Sequence, residues 1–105
     1  MNRYSAWVLR VIDGDTFIAR IDLGLQLQAL KTVRLAGVDA PERSTLAGRL
    51  AEDFTRRHLL HTFVDLEIGA RTFDKYGRVL ATVFLNGQSF NQALLDAGHA
   101  VKFEK

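Results

Sequence analysis

Acidic and basic side chains of the kind that act on phosphate esters stand at the ends of apolar runs in separate parts of the chain. The acids are Asp15, Asp39 and Glu42, and the bases are Arg34 and Arg78. Two aspartates can hold a hard divalent cation through oxygen, and a third carboxylate can orient or deprotonate a water molecule. Arginine offers a planar, permanently charged fork that matches the geometry of phosphate. Together these residue types predict a metal-assisted attack of water on a phosphodiester.

Each of the motifs that carry these residues also has a simpler structural explanation. Residues 13–15 alone are usually a hairpin turn, residues 39–42 alone a rigid turn, and residues 74–78 alone a solvated hairpin tip. Arg34 favours a functional explanation, because the guanidinium of an arginine within a hydrophobic strand must reach either a charged partner or a solvent-filled opening. The motifs taken together therefore favour one shared site over unrelated turns.

The apolar periodicity predicts the elements that would position these motifs. Strands are predicted over 6–12, 15–23, 31–38, 63–68 and 78–85, a main helix over 46–58, and a short helix from Asn91 to Gly98. Residues 24–32 fit either a long hairpin arm or a mobile loop. The leucines at 25, 27 and 30 fit either a partner surface or a hairpin packed on the rest of the fold.

The first hairpin is predicted to turn at Asp13-Gly14, since glycine accepts positive φ without steric cost. Alternate positions of the following strand are predicted to face the core. These positions are Phe17, Ala19, Ile21 and Leu23. The same parity puts Asp15 on the core side, so we expect its carboxylate at the rim of the core, where desolvation costs less.

The main helix is predicted from an apolar stripe at spacings of three and four. The stripe consists of Leu46, Leu50, Ala51, Phe54 and His58. Ser44 or Thr45 is expected as the N-cap. The short helix is expected to begin with Asn91 as its N-cap, with a hydrophobic staple between Phe90 and Leu95.

The order of the elements predicts an α+β fold that is mainly β. Five short strands in a mostly antiparallel sheet leave unpaired edges, and closure into a barrel removes them. We therefore expect a five-stranded OB-fold barrel with the longer helix between strands 3 and 4 and a short C-terminal helix. One domain over residues 1–105 is expected, because this length supports a single core.

The composition limits the function only broadly. The chain has 105 residues, of which 48% are hydrophobic and none is cysteine, so any metal would be bound by oxygen or imidazole. A net charge of +2 permits a nucleic-acid partner without requiring one. The first residues contain no apolar signal segment and no stretch of the sequence suits a membrane span, so we expect a cytoplasmic protein.

Residues 11–16, 33–42, 48–54, 74–78 and 91–95 form, in this order, a joint pattern that covers nearly the whole chain. This pattern resembles the staphylococcal nuclease (thermonuclease) family, and the small size resembles compact members encoded by phages or mobile elements. The resemblance implies an OB-fold and a calcium-dependent nuclease activity. Such an enzyme would cut DNA and/or RNA and leave 3′-phosphate and 5′-hydroxyl ends. We expect the nucleic acid to be single-stranded or frayed.

The resemblance also implies roles for individual residues. The metal ligands would be Asp15, Asp39 and, through its main-chain carbonyl, Ala40. The catalytic residues would be Glu42, which activates water, and Arg34 and Arg78, which grip the scissile phosphate. The substrate-binding residues would be Arg34, Arg78, Lys75 and Tyr76, the last two at a secondary phosphate and sugar contact.

The sequence departs from the family pattern in a shorter loop after Glu42 and in the lack of a C-terminal helix and of base-stacking aromatics, for which Phe103 is the nearest candidate. The alternative function is a non-catalytic OB-fold module that binds single-stranded nucleic acid or a protein partner. Such modules rely on exposed aromatics, whereas most aromatics here fall at core-facing positions. His58, His61 and His99 are expected to pack or cap near the helix end, and a zinc site is the less favoured explanation.

Overall fold

Eight strands and two helices lie within residues 2–103, which a computed structural model describes. The ends of the predicted 1–105 domain, namely Met1, Glu104 and Lys105, lie outside the described residues. The strands are β1 (Asn2–Asp13), β2 (Thr16–Gly24), β3 (Leu27–Leu35), β4 (Val38–Asp39), β5 (Phe63–Ile68), β6 (Val79–Leu85), β7 (Gln88–Ser89) and β8 (Val101–Lys102). The helices are α1 (Leu46–Leu59) and α2 (Phe90–Asp96). Neither helix has the length and apolar character that crossing a membrane requires.

Five of these strands close into a barrel. β1 pairs antiparallel with β2 and with β5, β2 pairs with β3, and β5 pairs with β6. A parallel pairing of β3 with β6 closes the cylinder and removes both sheet edges. The predicted α+β class and five-stranded OB-fold barrel are confirmed, with α1 between the third and fourth barrel strands and α2 after the fifth. The short strands β4 and β8 form a separate antiparallel pair.

The barrel interior is filled by alternate residues of the strands, as the periodicity predicts. The largest fully buried side chains are Phe17, Leu35, Leu59, Leu66 and Leu94. Ala19 and Ile21 are also buried, but Leu23 is 51% exposed, so its predicted core position is wrong. At Leu23, β2 extends beyond the barrel. Its side chains still alternate between the two faces of the strand, but neither face packs on the core there.

The segment from 24 to 32 is a hairpin arm, not a mobile loop. β2 and β3 remain paired up to Gly24 and Leu27, and the connecting residues Leu25 and Gln26 both have positive φ, at 56° and 64°. The third strand therefore begins four residues earlier than the predicted 31 and ends at Leu35 instead of Val38. The leucines at 25, 27 and 30 are 93%, 60% and 66% exposed, so they do not pack on the barrel.

Helix α1 buries only part of the predicted stripe, namely Ala51 fully and Phe54 partly. Its buried residues are Gly48, Ala51, Thr55 and Leu59. Leu46 and Leu50 are 65% and 52% exposed, which contradicts their predicted burial. Small residues line the packed face because α1 lies very close to the barrel, and bulk there would clash. Of the two predicted N-caps, Thr45 is the one that caps the helix, since its hydroxyl accepts a hydrogen bond from the backbone of Gly48 at 3.0 Å.

The N-cap of α2 is Ser89, and the predicted Asn91 cap is wrong. The Ser89 hydroxyl accepts a backbone hydrogen bond at 3.2 Å from the third residue of the helix. The predicted staple between Phe90 and Leu95 is wrong as well, because Phe90 is the first helical residue and is buried in the core. The helix stops before Gly98, whose φ of 77° provides the left-handed exit that the sequence predicts.

Asn91 instead ties α2 to the barrel from a buried position. Its Nδ2 donates to the carbonyls of Ala36 at 2.9 Å and Ala81 at 3.3 Å. Its Oδ1 accepts a hydrogen bond from the backbone of Val83 at 2.9 Å. These partners satisfy both the oxygen and the nitrogen of the amide, so its burial leaves no polar group without a hydrogen bond.

The histidines pack against aromatic rings, as predicted. The rings of His58 and His99 lie 4.3 and 4.8 Å from the ring of Phe54. Nδ1 of His58 is 2.8 Å from the Phe54 carbonyl, one helical turn earlier. His61 stacks on Trp7 at a centroid distance of 6.2 Å.

Candidate active site

The turn between β1 and β2 is pressed against helix α1. The strand pairing places the two turn residues at Gly14 and Asp15, one position later than the predicted Asp13-Gly14. Glycine is required for space, since a Cβ at position 14 would lie 2.8 Å from the Cβ of Ala51. Thr55 of α1 donates its hydroxyl to the Gly14 carbonyl at 2.7 Å. This close packing fixes Asp15 relative to α1.

The carboxylate of Asp15 is buried at the floor of a cleft, deeper than the predicted rim position. Asp15 is only 7% exposed. Its Oδ1 accepts a hydrogen bond from the Thr16 hydroxyl at 2.9 Å, and its Oδ2 accepts one from the backbone of Ala40 at 2.8 Å. Arg34 Nη1 lies 3.3 Å from the same Oδ2. These partners offset the desolvation that makes a buried carboxylate unfavourable.

The guanidinium of Arg34 joins the two aspartates. Its Nη2 donates to Oδ1 of Asp39 at 3.2 Å, while its Nη1 contacts Asp15. Nη1 also donates to the main-chain carbonyls of Leu35 at 3.1 Å and Val38 at 2.8 Å. Arg34 therefore has the charged partners that its place in a hydrophobic strand predicts. The loop from 35 to 39 is held so that Asp39 comes back towards Asp15.

A tight turn before α1 fixes the main chain of Glu42. The backbone and the hydroxyl of Thr45 both donate to the Glu42 carbonyl, at 3.0 and 2.6 Å. Gly48 packs so closely beneath this turn that a Cβ there would lie 1.8 Å from the same carbonyl oxygen. The Glu42 side chain is exposed and faces the cleft.

The turn between β5 and β6 holds Arg78 through Asp74. The Asp74 carboxylate accepts hydrogen bonds from the backbones of Tyr76 and Arg78, both at 2.9 Å, and from Nε of Arg78 at 2.6 Å. Desolvation acts to raise the pKa of Asp74, but these hydrogen bonds and the charge of Arg78 outweigh it and lower the pKa below its usual value. Arg78 and Lys75 also lie over the ring of Tyr76, at 5.3 and 5.2 Å.

One cleft of about 730 Å³ brings the predicted residues together. It is lined by Asp13, Asp15, Arg34, Asp39, Ala40, Pro41, Glu42, Arg43, Ser44, Tyr76 and Arg78. Every predicted metal-binding and catalytic position is in this set. Lys75 is not, but it lines a neighbouring cavity of about 300 Å³ that shares Arg34, Tyr76 and Arg78 with the cleft and also contains Phe103.

The residues that line the cleft fall mostly in a segment that matches a known protein family. The family model described as Staphylococcal nuclease homologue matches residues 32–105. The chain belongs to this family. The match includes β3 with Arg34, the turn with Asp39 and Glu42, and Arg78, and Asp15 lies before it.

Relatives of this staphylococcal nuclease homologue extend the similarity over nearly the whole chain. A thermonuclease from Staphylococcus hyicus is 42% identical over an alignment 105 residues long. The alignment covers 94% of this chain and 59% of that protein. A thermonuclease from Staphylococcus intermedius is 44% identical over 102 residues, covering 91% and 58%. An uncharacterized endonuclease from Escherichia coli is 33% identical over 99 residues, covering 93% and 60%. The chain thus spans about three fifths of the length of these relatives.

Oxygen-bearing groups line the cleft at the positions of the predicted metal ligands. They are the buried carboxylate of Asp15, the half-exposed carboxylate of Asp39, and Ala40, whose main-chain carbonyl is the third predicted donor. Within residues 2–103, no three His, Cys, Asp or Glu side chains come close enough to form a metal site on their own. Glu42 lines the same cleft without joining such a cluster. The donor set therefore fits a hard cation that takes two carboxylates and a carbonyl and completes its coordination with water.

Sequence reasoning missed two charged residues of the cleft in this nuclease homologue, Asp13 and Arg43. Burial, and next the neighbouring charge of Asp15, raise the pKa of Asp13 above its usual value, while Arg43 acts to lower it. Arg43 donates from Nη1 to the carbonyl of Ile12 at 3.3 Å. Their positions beside predicted motifs were the available signal, since Asp13 adjoins the first turn and Arg43 directly follows Glu42.

Proposed function

We propose that the protein is a metal-dependent nuclease that hydrolyses phosphodiester bonds in DNA and/or RNA. The observation that carries the proposal is that the predicted acids and both predicted guanidinium groups line one cleft. Thermonucleases in two Staphylococcus species and an uncharacterized endonuclease in Escherichia coli support it as relatives. The roles proposed for the individual residues are those that the family resemblance implies, and the contacts described above support them.

We propose Ca²⁺ as the cation, held by Asp15, Asp39 and the carbonyl of Ala40. All three donors are oxygen, which hard cations prefer, and magnesium or manganese would find the same ligands. When bound, such a cation supplies positive charge that stabilises the phosphoryl oxygens as bonds change.

Glu42 is the proposed general base. Its carboxylate faces the cleft, while its main chain is fixed by Thr45 and packed on Gly48. A carboxylate in this position takes the proton of the attacking water as the new bond to phosphorus forms. The bond from phosphorus to the 5′ oxygen breaks as the water attacks, and that oxygen takes a proton from solvent, so the products carry a 3′-phosphate and a 5′-hydroxyl.

Arg34 and Arg78 are the proposed electrostatic stabilisers of the phosphoryl group. Asp74 anchors Arg78 through Nε, which orients its guanidinium at the cleft wall. Lys75 and Tyr76 would contact the adjoining phosphate and sugar from the neighbouring cavity. A single-stranded or frayed backbone bends into such a cleft more readily than a duplex, so we propose that form of DNA or RNA as the substrate.

The test is cleavage of denatured DNA with Ca²⁺ and with a chelator. Activity should require the cation and should fall by about 100-fold or more in Glu42→Gln. Arg34→Lys should lose activity too, because lysine keeps the charge but not the fork, and Arg34→Ala should lose at least as much. Glu67→Gln is the matched control, since Glu67 pairs with Arg3 at 3.3 Å and does not line the cleft.

Tight binding of DNA or RNA by the folded wild-type protein, without cleavage in the presence of any divalent cation, would refute the proposed nuclease activity. That result would favour the non-catalytic OB-fold module.

A further inference from the structure

A third guanidinium faces the cleft and has no part in the proposed reaction. Arg43 is exposed and lines the cleft beside Glu42. Its Nη1 donates to the Ile12 carbonyl at 3.3 Å. Within residues 2–103 its guanidinium forms no ion pair with a carboxylate, whereas Arg34 and Arg78 both do.

Arg43 lies in the part of the cleft that is not shared with the neighbouring cavity. Arg34, Tyr76 and Arg78 line both the cleft and the cavity that contains Lys75, whereas Arg43 lines only the cleft. Arg43 therefore adds a positive side chain to the acidic part of the cleft, next to Glu42 in the chain and outside the group formed by Arg34, Arg78 and Lys75. A strand held at the proposed scissile position by Arg34 and Arg78 that continued past Glu42 would meet Arg43.

We propose that Arg43 binds a second phosphate of the nucleic-acid strand, next to the one that is cut. This subsite rests on the proposed nuclease function and extends it to the substrate class, which is a strand with at least two consecutive phosphates. An arginine that is exposed to the cleft and free of a carboxylate partner can direct its fork to a phosphate without breaking an ion pair.

The simpler alternative is that Arg43 binds no phosphate and only offsets the negative charge of Asp13 and Glu42. Arg43 does act to lower the pKa of Asp13, so it is close enough for this effect. Such an effect would alter the cleavage of every substrate equally. A phosphate subsite acts only on substrates that have the second phosphate, and this difference is measurable.

The first experiment compares a single-stranded oligonucleotide with a dinucleoside monophosphate, which has only the phosphate to be cut. In Arg43→Gln, the ratio of kcat/KM for the oligonucleotide to that for the dinucleoside monophosphate should fall about three- to tenfold, mainly through KM. Arg43→Lys should fall less. Arg57→Gln is the control, because Arg57 is paired with Asp53 at 3.0 Å and lies about 16 Å along α1 from its first residue, Leu46. An unchanged ratio in Arg43→Gln overturns the subsite.

The second experiment does not depend on cleavage. The affinity for the same oligonucleotide is measured against salt concentration, with a chelator present. Loss of one phosphate contact on a single strand lowers the slope of log affinity against log salt by about 0.7. We expect this change in Arg43→Gln and no change in Arg57→Gln. If the wild-type protein cuts neither substrate, the proposed function fails and the slope alone decides the subsite. A wild-type slope in Arg43→Gln overturns it.

Discussion

Gly48→Ala would place a methyl group inside the turn that holds Glu42. The added Cβ would lie 1.8 Å from the Glu42 carbonyl oxygen and 2.7 Å from the backbone nitrogen of Arg43. These neighbours are main-chain atoms, so they cannot rotate out of the way as a side chain would. The turn and the first turn of α1 must therefore separate.

The size of the effect follows from this distance. Restoring a non-bonded contact of about 3.5 Å moves the Glu42 main chain away from α1 by roughly 1.7 Å, given the starting 1.8 Å. A misplacement of about 1 Å at a catalytic group costs about 100-fold in rate. Overpacking costs about 1–3 kcal/mol, and the better helix propensity of alanine returns about 1 kcal/mol. We expect kcat to fall about 100-fold and stability to fall by only about 0–2 kcal/mol.

The assay measures kcat and KM on denatured DNA with Ca²⁺, at a temperature where urea unfolding shows the variant to be folded. Gly69→Ala is the matched control, because a Cβ there meets no atom within 4 Å and its φ is not left-handed. It should leave both activity and stability close to wild type. A folded Gly48→Ala protein with wild-type kcat would refute the reasoning that the position of Glu42 sets the rate.

Three further substitutions, two in or beside the cleft and one between α2 and the barrel, are tested by urea unfolding. The folded-state pKa of Asp74 is lowered, so its contribution is complete above the unfolded-state pKa and is lost as pH falls through the folded-state pKa. Asp74→Asn should therefore lower stability by about 1 kcal/mol at neutral pH and by less in acid, and an equal deficit at every pH would contradict this. The folded-state pKa of Asp13 is raised, so stability is lost as pH rises through it. Asp13→Asn should be more stable than wild type at neutral pH and equal to it in acid, whereas a less stable variant at neutral pH would show the sign to be wrong. Asn91→Leu leaves the backbone partners of a buried amide unsatisfied and should cost about 3 kcal/mol or more. A cost below about 1 kcal/mol would mean that relaxation or water replaces those bonds.

The barrel was predictable because strand alternation reports directly on which side of a sheet faces water. Phe17 and Ala19 are fully buried as the period of two requires. The pattern fails at Leu23, where the strand continues past the barrel and the alternation no longer refers to a core. The turn signal at residues 74–77 was equally reliable, since Gly77 has the positive φ that such a turn requires.

The packed face of α1 was not predictable from hydrophobicity. The helix lies so close to the barrel that Gly48 and Ala51 are buried, and Leu46 and Leu50 point to solvent. A hydrophobic stripe is recognised by its large apolar side chains, whereas the interface at Gly48 and Ala51 has room only for small ones, and a large buried side chain appears only at Leu59. Asn91 failed for a related reason, because a preference for helix caps says nothing about buried acceptors elsewhere in the fold.

The residues of the candidate site were predictable, but their arrangement was not. Asp15 and Ala40 are 25 positions apart, and the hydrogen bond between them depends on how β1, β2 and the loop after β3 close the barrel. This contact and the bridge through Arg34 allow Asp15 to be buried, where the sequence predicts only a rim position. Local patterns identify the charged groups, and the tertiary contacts determine how far each is removed from water.

Cleavage in water labelled with a heavy isotope of oxygen tests the proposed reaction most directly. The wild-type protein, with Ca²⁺ and a single-stranded oligonucleotide, should place the label in a new 3′-phosphate and none in the 5′-hydroxyl fragment. Glu42→Gln should form the same products far more slowly. Products that end in a 5′-phosphate would contradict departure of the 5′ oxygen, and binding of the strand without incorporation of label would contradict the attack of water on phosphorus in this cleft.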